Sequence, residues 1–383
     1  MVTLNSADSV LKSFYLDAIS ERLNSKINPF IAKLERTAND VVGKDVRKVI
    51  RNDINGGMGA GSETGDLPTA KASEYKTFVA PLKNLYGTIE ISDKALRASA
   101  NNEGAFVNIL NEEMKALEKS AALQFSRMIF GDGTGVLATT SGSKNGNLMV
   151  DKCSNFVVGM WVRLDGLGDQ FACCKVKNVD PASNEITLDL DYEDSAVVSG
   201  TKIYIAGTKG EELTGLAAIF GNSALYGVAR NVAGMTPYKT TSTSISEAIV
   251  QKAIDKVEEE SGYKVDVILC SWGVKRALAE YYKGMGIVMP TMKLENGEMV
   301  PSFNGVPVIC DRFCPKGTMY LLTSENFKIH QLCDWQWLEA EDGKILKQVS
   351  GKPVYQATLV KYAELICENP YRQFKCLVKK GAF

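Results

Sequence analysis

The stretch YKTFVAPLKNLYGTIEIS, Tyr75–Ser92, decides how this chain of 383 residues is read. It reads as two strands around a turn. In the second arm Leu85, Gly87, Ile89 and Ile91 share one side, and Tyr86, Thr88, Glu90 and Ser92 share the other. That period of two marks a half-buried strand. The segment before it, VVGKDVRKVIRNDINGGMGAGSETGDLPTAKAS, is glycine-rich from Gly56 to Gly65 and has almost no apolar periodicity after Ile54. It reads as a long arm or linker. An isolated two-stranded hairpin is marginal in water. The apolar side of this one therefore needs a partner that the flanking sequence does not offer.

Composition narrows the class of protein. With 45% apolar residues the chain can bury a sizeable core. Its 44 basic and 45 acidic residues nearly cancel, and no basic block stands out, so binding nucleic acid through phosphate neutralisation is not its main task. The N-terminal MVTLNSADSVLKSFY lacks the charged and apolar regions of a signal peptide. No run approaches the ~20 apolar residues of a membrane helix, so no membrane partner is expected. The nine cysteines have no spacing that suggests a disulfide framework or a four-ligand zinc site. Reduced thiols are the economical reading.

The remaining elements fall in order along the chain. Residues 6–36 read as helical in two pieces, with Val10, Phe14, Ala18 and Leu23 at roughly helical spacing and a new start at Pro29. The strongest element runs from Asn101 to Phe130, where Phe106, Leu110, Met114, Leu117, Ala121, Phe125 and Met128 line one face. GDGTG ends it. Residues 147–207 change to short strands between Gly, Asp and Ser-Gly turns, which points to a small inserted antiparallel barrel or sandwich. From Leu213 onward the texture is mixed. A helix starts with a capping box, Ser244 with Glu247, and ends at Gly262. The strand VDVILC follows, then a helix from near Ser271 to Gly284. GVPVICDRF and TMYLLTS read as strands, and the ending reads as two long strands hinged at Asn369-Pro370.

The search for chemistry returns little. The one histidine, His330, sits among apolar residues, which favours a structural role and leaves little room for triads or multi-histidine metal sites. GGMGAG does not fit G-x-G-x-x-G and has neither the strand before it nor the helix after it, and GDGTGV lacks the Lys-Ser/Thr of a phosphate loop. No catalytic residue, cofactor site or metal site is assigned, and no enzyme activity is expected. The distinctive features are architectural, and they make sense if the arms lie on other copies of the same chain.

The order of elements resembles the major capsid proteins of tailed bacteriophages, the Hong Kong 97-type fold. The resemblance rests on VVGKDVRKVI, NGGMGAG, GDLPTA, YGTIEIS, EGAFVNILNEEM and RMIFGDGTG, in that order. FNGVPVICDRFCPKGTMYLLTSENFKI and TLVKYAELICENPYRQFKCL continue it. It implies an α+β chain with an N-terminal arm (1–66), an E-loop hairpin (67–100) and a P-domain spine helix (101–146). An inserted β domain (147–208), an A-domain with connecting P-domain segments (209–350) and closing P-domain strands (351–383) would follow. It also implies a shell subunit that forms hexamers and pentamers around double-stranded DNA, assembled in the host cytoplasm and located in the virion. A separate scaffolding protein, a portal and decoration proteins are the implied partners. On that reading Phe78, Leu82, Leu85 and Tyr86 are the apolar inter-subunit anchors of the E-loop, and Lys76 and Lys83 are its rim charges. An encapsulin-like nanocompartment and a Cys-dependent hydrolase using Cys270 or Cys310 are the competing readings.

Overall fold

The computed structural model describes residues 29–51, 56–66, 69, 71–73, 75–94, 103–232, 234–294, 297–339 and 343–379, with the backbone alone at 51 and 103–112. The helical pattern of Val10, Phe14, Ala18 and Leu23 lies outside these residues, as do the side chains of Phe106 and Leu110. Among the described residues the strands form a five-stranded, a seven-stranded and a three-stranded sheet and one closed barrel.

The strand Val354–Cys367 organises the five-stranded sheet. Phe327–Trp337 pairs with it antiparallel, from Phe327↔Cys367 to Trp337↔Leu359. On its other edge Lys83–Ser92 pairs antiparallel without a break, from Ser92↔Val354 to Lys83↔Ala363. Glu35–Thr37 adds in parallel to Phe327–Trp337. The apolar side of the opening stretch thus has its partner in the same chain: Leu85, Ile89 and Ile91 are buried in the central core.

The long helix stands where the apolar period put it, over Glu103–Ile129. Its 27 residues span about 40 Å at the rise of an α-helix. Met114, Phe125 and Met128 are buried in the central core, and Leu117 and Ala121 pack against it. Gly87 lets the strand's backbone approach this helix, since a Cβ there would lie 2.8 Å from Leu117 Cδ1. At the helix C-terminus Gly215 has a stricter reason to be glycine. Its Cβ would fall 2.4 Å from the carbonyl oxygens of both Met128 and Ile129.

The seven-stranded sheet runs Tyr238–Ser242, Phe374–Val378, Thr318–Leu322, Val267–Cys270, Val306–Cys310, Met299–Phe303, Thr291–Lys293. Helices Glu247–Ser261 and Trp272–Gly284 bury Val250, Ala253, Ile254, Val257, Val274 and Leu278 in a second core against it. The first of these helices starts later than its capping-box pattern suggests. Ser246 is its N-cap, and Gly262 closes it at φ 70°. Ser244 instead accepts a hydrogen bond on its carbonyl from Ser242 Oγ. The hinge at Asn369-Pro370 sends the chain from one sheet to another: Val354–Cys367 lies in the five-stranded sheet and Phe374–Val378 in the seven-stranded one.

The inserted module is a closed antiparallel barrel with its own core, including Leu148, Phe156, Val162, Leu164, Phe171, Val176, Ile186 and Ile203. It begins earlier than residue 147. Val136–Lys144 is its first strand, joined to Asn147–Val150 through Asn145 and Gly146. Both turn residues have positive φ, 53° and 74°, as a tight Asn-Gly hairpin turn requires.

The hairpin expected within Tyr75–Ser92 is corrected. Tyr75–Pro81 pairs with Asp45–Arg51, in register from Asp45↔Pro81 to Arg51↔Tyr75, and Val41–Val42 completes the three-stranded sheet. The hairpin therefore runs from Asp45 to Pro81, with the glycine-rich segment between its arms rather than before them. At Leu82 the chain passes from this sheet to the five-stranded one.

Candidate functional site

The three-stranded sheet has two unlike faces. On the inner face Val46 stands opposite Ala80, Lys48 opposite Phe78 and Ile50 opposite Lys76. Val46, Phe78 and Ala80 are buried there. The Phe78 ring lies 5.3 Å from that of Tyr226, and the Tyr226 hydroxyl donates to Leu365 O at 2.9 Å and accepts from Cys367 N at 3.1 Å. Tyr226 thus fastens the sheet to the strand Val354–Cys367. Burial raises its phenol well above the ordinary range, so the hydroxyl keeps the proton that this donation needs. Lys48 adds an ion pair to Glu368 across the same seam.

The outer face carries Arg47, Val49, Tyr75, Thr77 and Val79, all on the opposite phase of the alternation. Val49 and Tyr75 are each 62% exposed, and Val42 on the third strand is 58% exposed. Valine and tyrosine are favoured in strands because they pack on a pleated surface. Among the described residues, nothing buries the Val42, Val49 and Tyr75 side chains by more than half. The edge of this sheet is partly covered, as Val79 N donates to Tyr226 O at 3.0 Å.

The six contact residues expected from the sequence divide between these surroundings. Phe78 and Leu85 are core residues of the chain, and Leu82 packs against that core. Lys76 lies half-buried on the inner face. Lys83 reaches back into the chain, its Nζ donating to Gly210 O at 2.7 Å and lying 3.8 Å from Glu211. Tyr86 faces outward at 60% exposure, edge-on to Tyr362 with centroids 6.3 Å apart. Sequence reasoning missed the outer face. The signal was present in the alternation of TFVAP, but it was read as one arm of a different hairpin.

The long helix, the segment after the barrel and the central strands share a group of buried charges. Arg127, near the end of the long helix, forms a buried ion pair with Glu212 and donates from Nε to Gln124 Oε1 at 2.8 Å. Glu364 Oε1 accepts from Thr214 N at 2.7 Å and Leu365 N at 3.0 Å, while Oε2 has no hydrogen-bond partner among the described residues. Burial pushes its carboxyl up to about 7. Lys361 is buried, and its Nζ donates to Gln331 Oε1 at 2.7 Å and Asp334 Oδ1 at 2.6 Å. These groups are committed to joining the helix, the segment after the barrel and the central strands. They do not open on a substrate.

His330 is fully buried, and its Nδ1 lies 2.9 Å from Asn39 O. Burial lowers its pKa, so a neutral ring ties residue 39 to the five-stranded sheet. Among the described residues no group of three His, Cys, Asp or Glu is placed to hold a metal ion, and no helix is long and apolar enough to cross a membrane.

No protein-family model matches the chain, and no curated protein sequence matches it significantly. Solved structures do. A chain from the capsid asymmetric unit of cyanophage A-1(L) aligns at a TM-score of 0.53 and 10% identity, over 92% of this chain and 93% of that one. The holo-SrpI encapsulin complex from Synechococcus elongatus aligns at 0.49 and 13% identity, over 93% and 89%. The capsid of a native GTA particle aligns at 0.49 and 11%, over 91% and 89%. At such identities a likeness fixes the fold and nothing finer. Over nearly its whole length, the chain has the fold of the cyanophage A-1(L) capsid chain.

Proposed function

We propose that the chain is the major capsid protein of a tailed phage, a structural subunit that assembles as hexamers and pentamers into an icosahedral head around double-stranded DNA. The observation that carries this reading is the fold shared with a phage capsid chain over 92% of the present one. In Hong Kong 97-type terms the hairpin Asp45–Pro81 is the E-loop, Glu103–Ile129 the spine helix, the five-stranded sheet the P-domain and the seven-stranded sheet the A-domain. The outer face of Arg47, Val49, Tyr75, Thr77 and Val79, with Tyr86 beside it, is the surface that lies on the neighbouring subunit. Lys76, Phe78, Leu82, Lys83 and Leu85 shape that contact from below. A separate scaffolding protein, a portal and decoration proteins are the partners of such a subunit, and the host cytoplasm is where it assembles. Near-neutral charge suits a container, because a strongly basic inner wall would hold the packaged DNA.

Negative-stain microscopy of the recombinant chain, alone and co-expressed with a scaffolding protein from the same genome, tests the reading. Closed shells or capsomer rings are expected. Monomers under both conditions overturn it. Shells isolated from the native host should contain double-stranded DNA; a folded enzyme in its place would make the particle a nanocompartment.

A further inference from the structure

Cys270 and Cys310 are register partners on adjacent parallel strands of the seven-stranded sheet, with their sulfurs 3.7 Å apart. Neighbouring strands run about 4.8 Å apart, inside the Cα separation of about 4.4–6.8 Å that a disulfide spans. Partners in register point to the same face, so a modest rotation of the two side chains brings the sulfurs to bonding distance. We propose that Cys270 and Cys310 form a dithiol site that low-molecular-weight disulfides oxidise to an intramolecular disulfide.

The two thiols are unequal in ways that fix the order of events. Cys270 is fully buried, whereas Cys310 is partly open to solvent. The hydrogen bond from Cys270 and the nearby Lys275 ammonium lower the Cys310 thiol, against burial. The same sulfur contact, together with burial, raises Cys270. Lys275 lies in the first turn of the helix Trp272–Gly284, which starts two residues after Cys270. A partly exposed thiolate beside a cation is the better nucleophile. Cys310 therefore attacks one sulfur of the small disulfide RSSR, the S–S bond breaks, and RS⁻ leaves. That RS⁻ takes the proton of Cys270, whose thiolate attacks Cys310 Sγ and expels the second RS⁻, which solvent protonates. The two protein thiols give up two electrons, and RSSR becomes two RSH. Cys314, nearby in sequence, has its thiol directed to Thr318 O at 3.6 Å.

This inference stands on the sheet geometry and does not depend on the capsid reading. The full-length protein is purified reduced and exposed to oxidised glutathione. Free thiols are then alkylated at low pH, and the protein is digested with trypsin without reduction. Cys270, Cys310 and Cys314 fall on separate tryptic peptides, residues 265–275, 294–312 and 313–316. Peptides 265–275 and 294–312 should appear linked, two hydrogens lighter than their sum, and the native protein should melt a few degrees higher after oxidation. The exposed Cys173 should carry glutathione, which shows that the oxidant acted. In C270A the reaction should stop at a glutathione on Cys310; in C310A Cys270 should stay unmodified. Free Cys270 and Cys310 in a sample whose Cys173 is capped would overturn the proposal, as would a Cys310–Cys314 link. The wild-type map decides the matter even if neither variant folds.

Discussion

The barrel of Val136–Ile205 and the three-stranded sheet of Val41–Pro81 are both small antiparallel structures, and they solve the same problem differently. The barrel closes on itself, so its six strands have no free edge, and its interior is filled by its own side chains. The sheet has one face buried against the body and one turned outward, where Val42, Val49, Tyr75 and Val79 stand among Arg47 and Thr77. Unlike the barrel it is open, and among the described residues its outer valines and Tyr75 keep much of their surface exposed. A self-sufficient module needs nothing more to bury its core; an open one leaves a face available, and in the capsid reading proposed above that face meets a neighbouring subunit.

Truncating an anchor on the buried face should have the largest effect. Phe78→Ala should cost about 3–5 kcal/mol, because the ring is buried against Tyr226. Urea denaturation of the monomer would measure it, and a cost under about 1 kcal/mol would mean the sheet is not seated on the body as described. Leu164→Ala removes a fully buried side chain of the barrel and should cost roughly 2–5 kcal/mol. If the barrel is self-sufficient, calorimetry should show this as an early separate transition with the main one unmoved. A single shifted transition would instead join the barrel's stability to that of the body.

Glu364 sharpens the comparison at the junction, since it holds Thr214 just beyond the barrel to the central strand. Its carboxyl is raised by burial to about 7 from an ordinary value of 4.5. The folded state therefore binds the proton more tightly than the unfolded one. The stabilisation is complete below about pH 4.5 and is lost as pH rises through about 7, a span worth roughly 3 kcal/mol. Glu364→Gln should flatten that part of the pH–stability curve and raise stability at pH 8. An unchanged slope would mean that Glu364 does not titrate there. The smallest effect on the isolated chain is expected on the outer face. Val49→Ser with Val79→Ser should shift monomer stability by no more than about 0.5 kcal/mol and yet abolish shells in negative stain. Normal shells would leave that face without a partner.

Local patterns in the sequence carried much of this fold. The long helix was legible because Met114, Leu117, Ala121, Phe125 and Met128 repeat on one side of a 3.6-residue period. The barrel was legible because its turns are spelled in Gly, Asp and Asn. Its first strand was missed where Asn145-Gly146, the strongest short hairpin signal in the module, was passed over. Pairing was not legible. The alternation of Lys83–Ser92 shows a half-buried strand, but nothing local says that its partner is Val354–Ala363. The same limit displaced the hairpin: glycines between two strands look like glycines before one. Lys361 and Glu364 were hidden for another reason, since charge in a strand argues for solvent until the structure supplies its partners.

The barrel's attachment has a consequence for how such a chain can change. Val136 and Tyr204 are register partners on adjacent strands, so the chain enters and leaves the module at neighbouring points. Anything between Gly135 and Ala206 can lengthen, shorten or be exchanged while the strands on either side keep their places. That makes the tight turn at Asn145-Gly146 a natural port for displaying a foreign peptide.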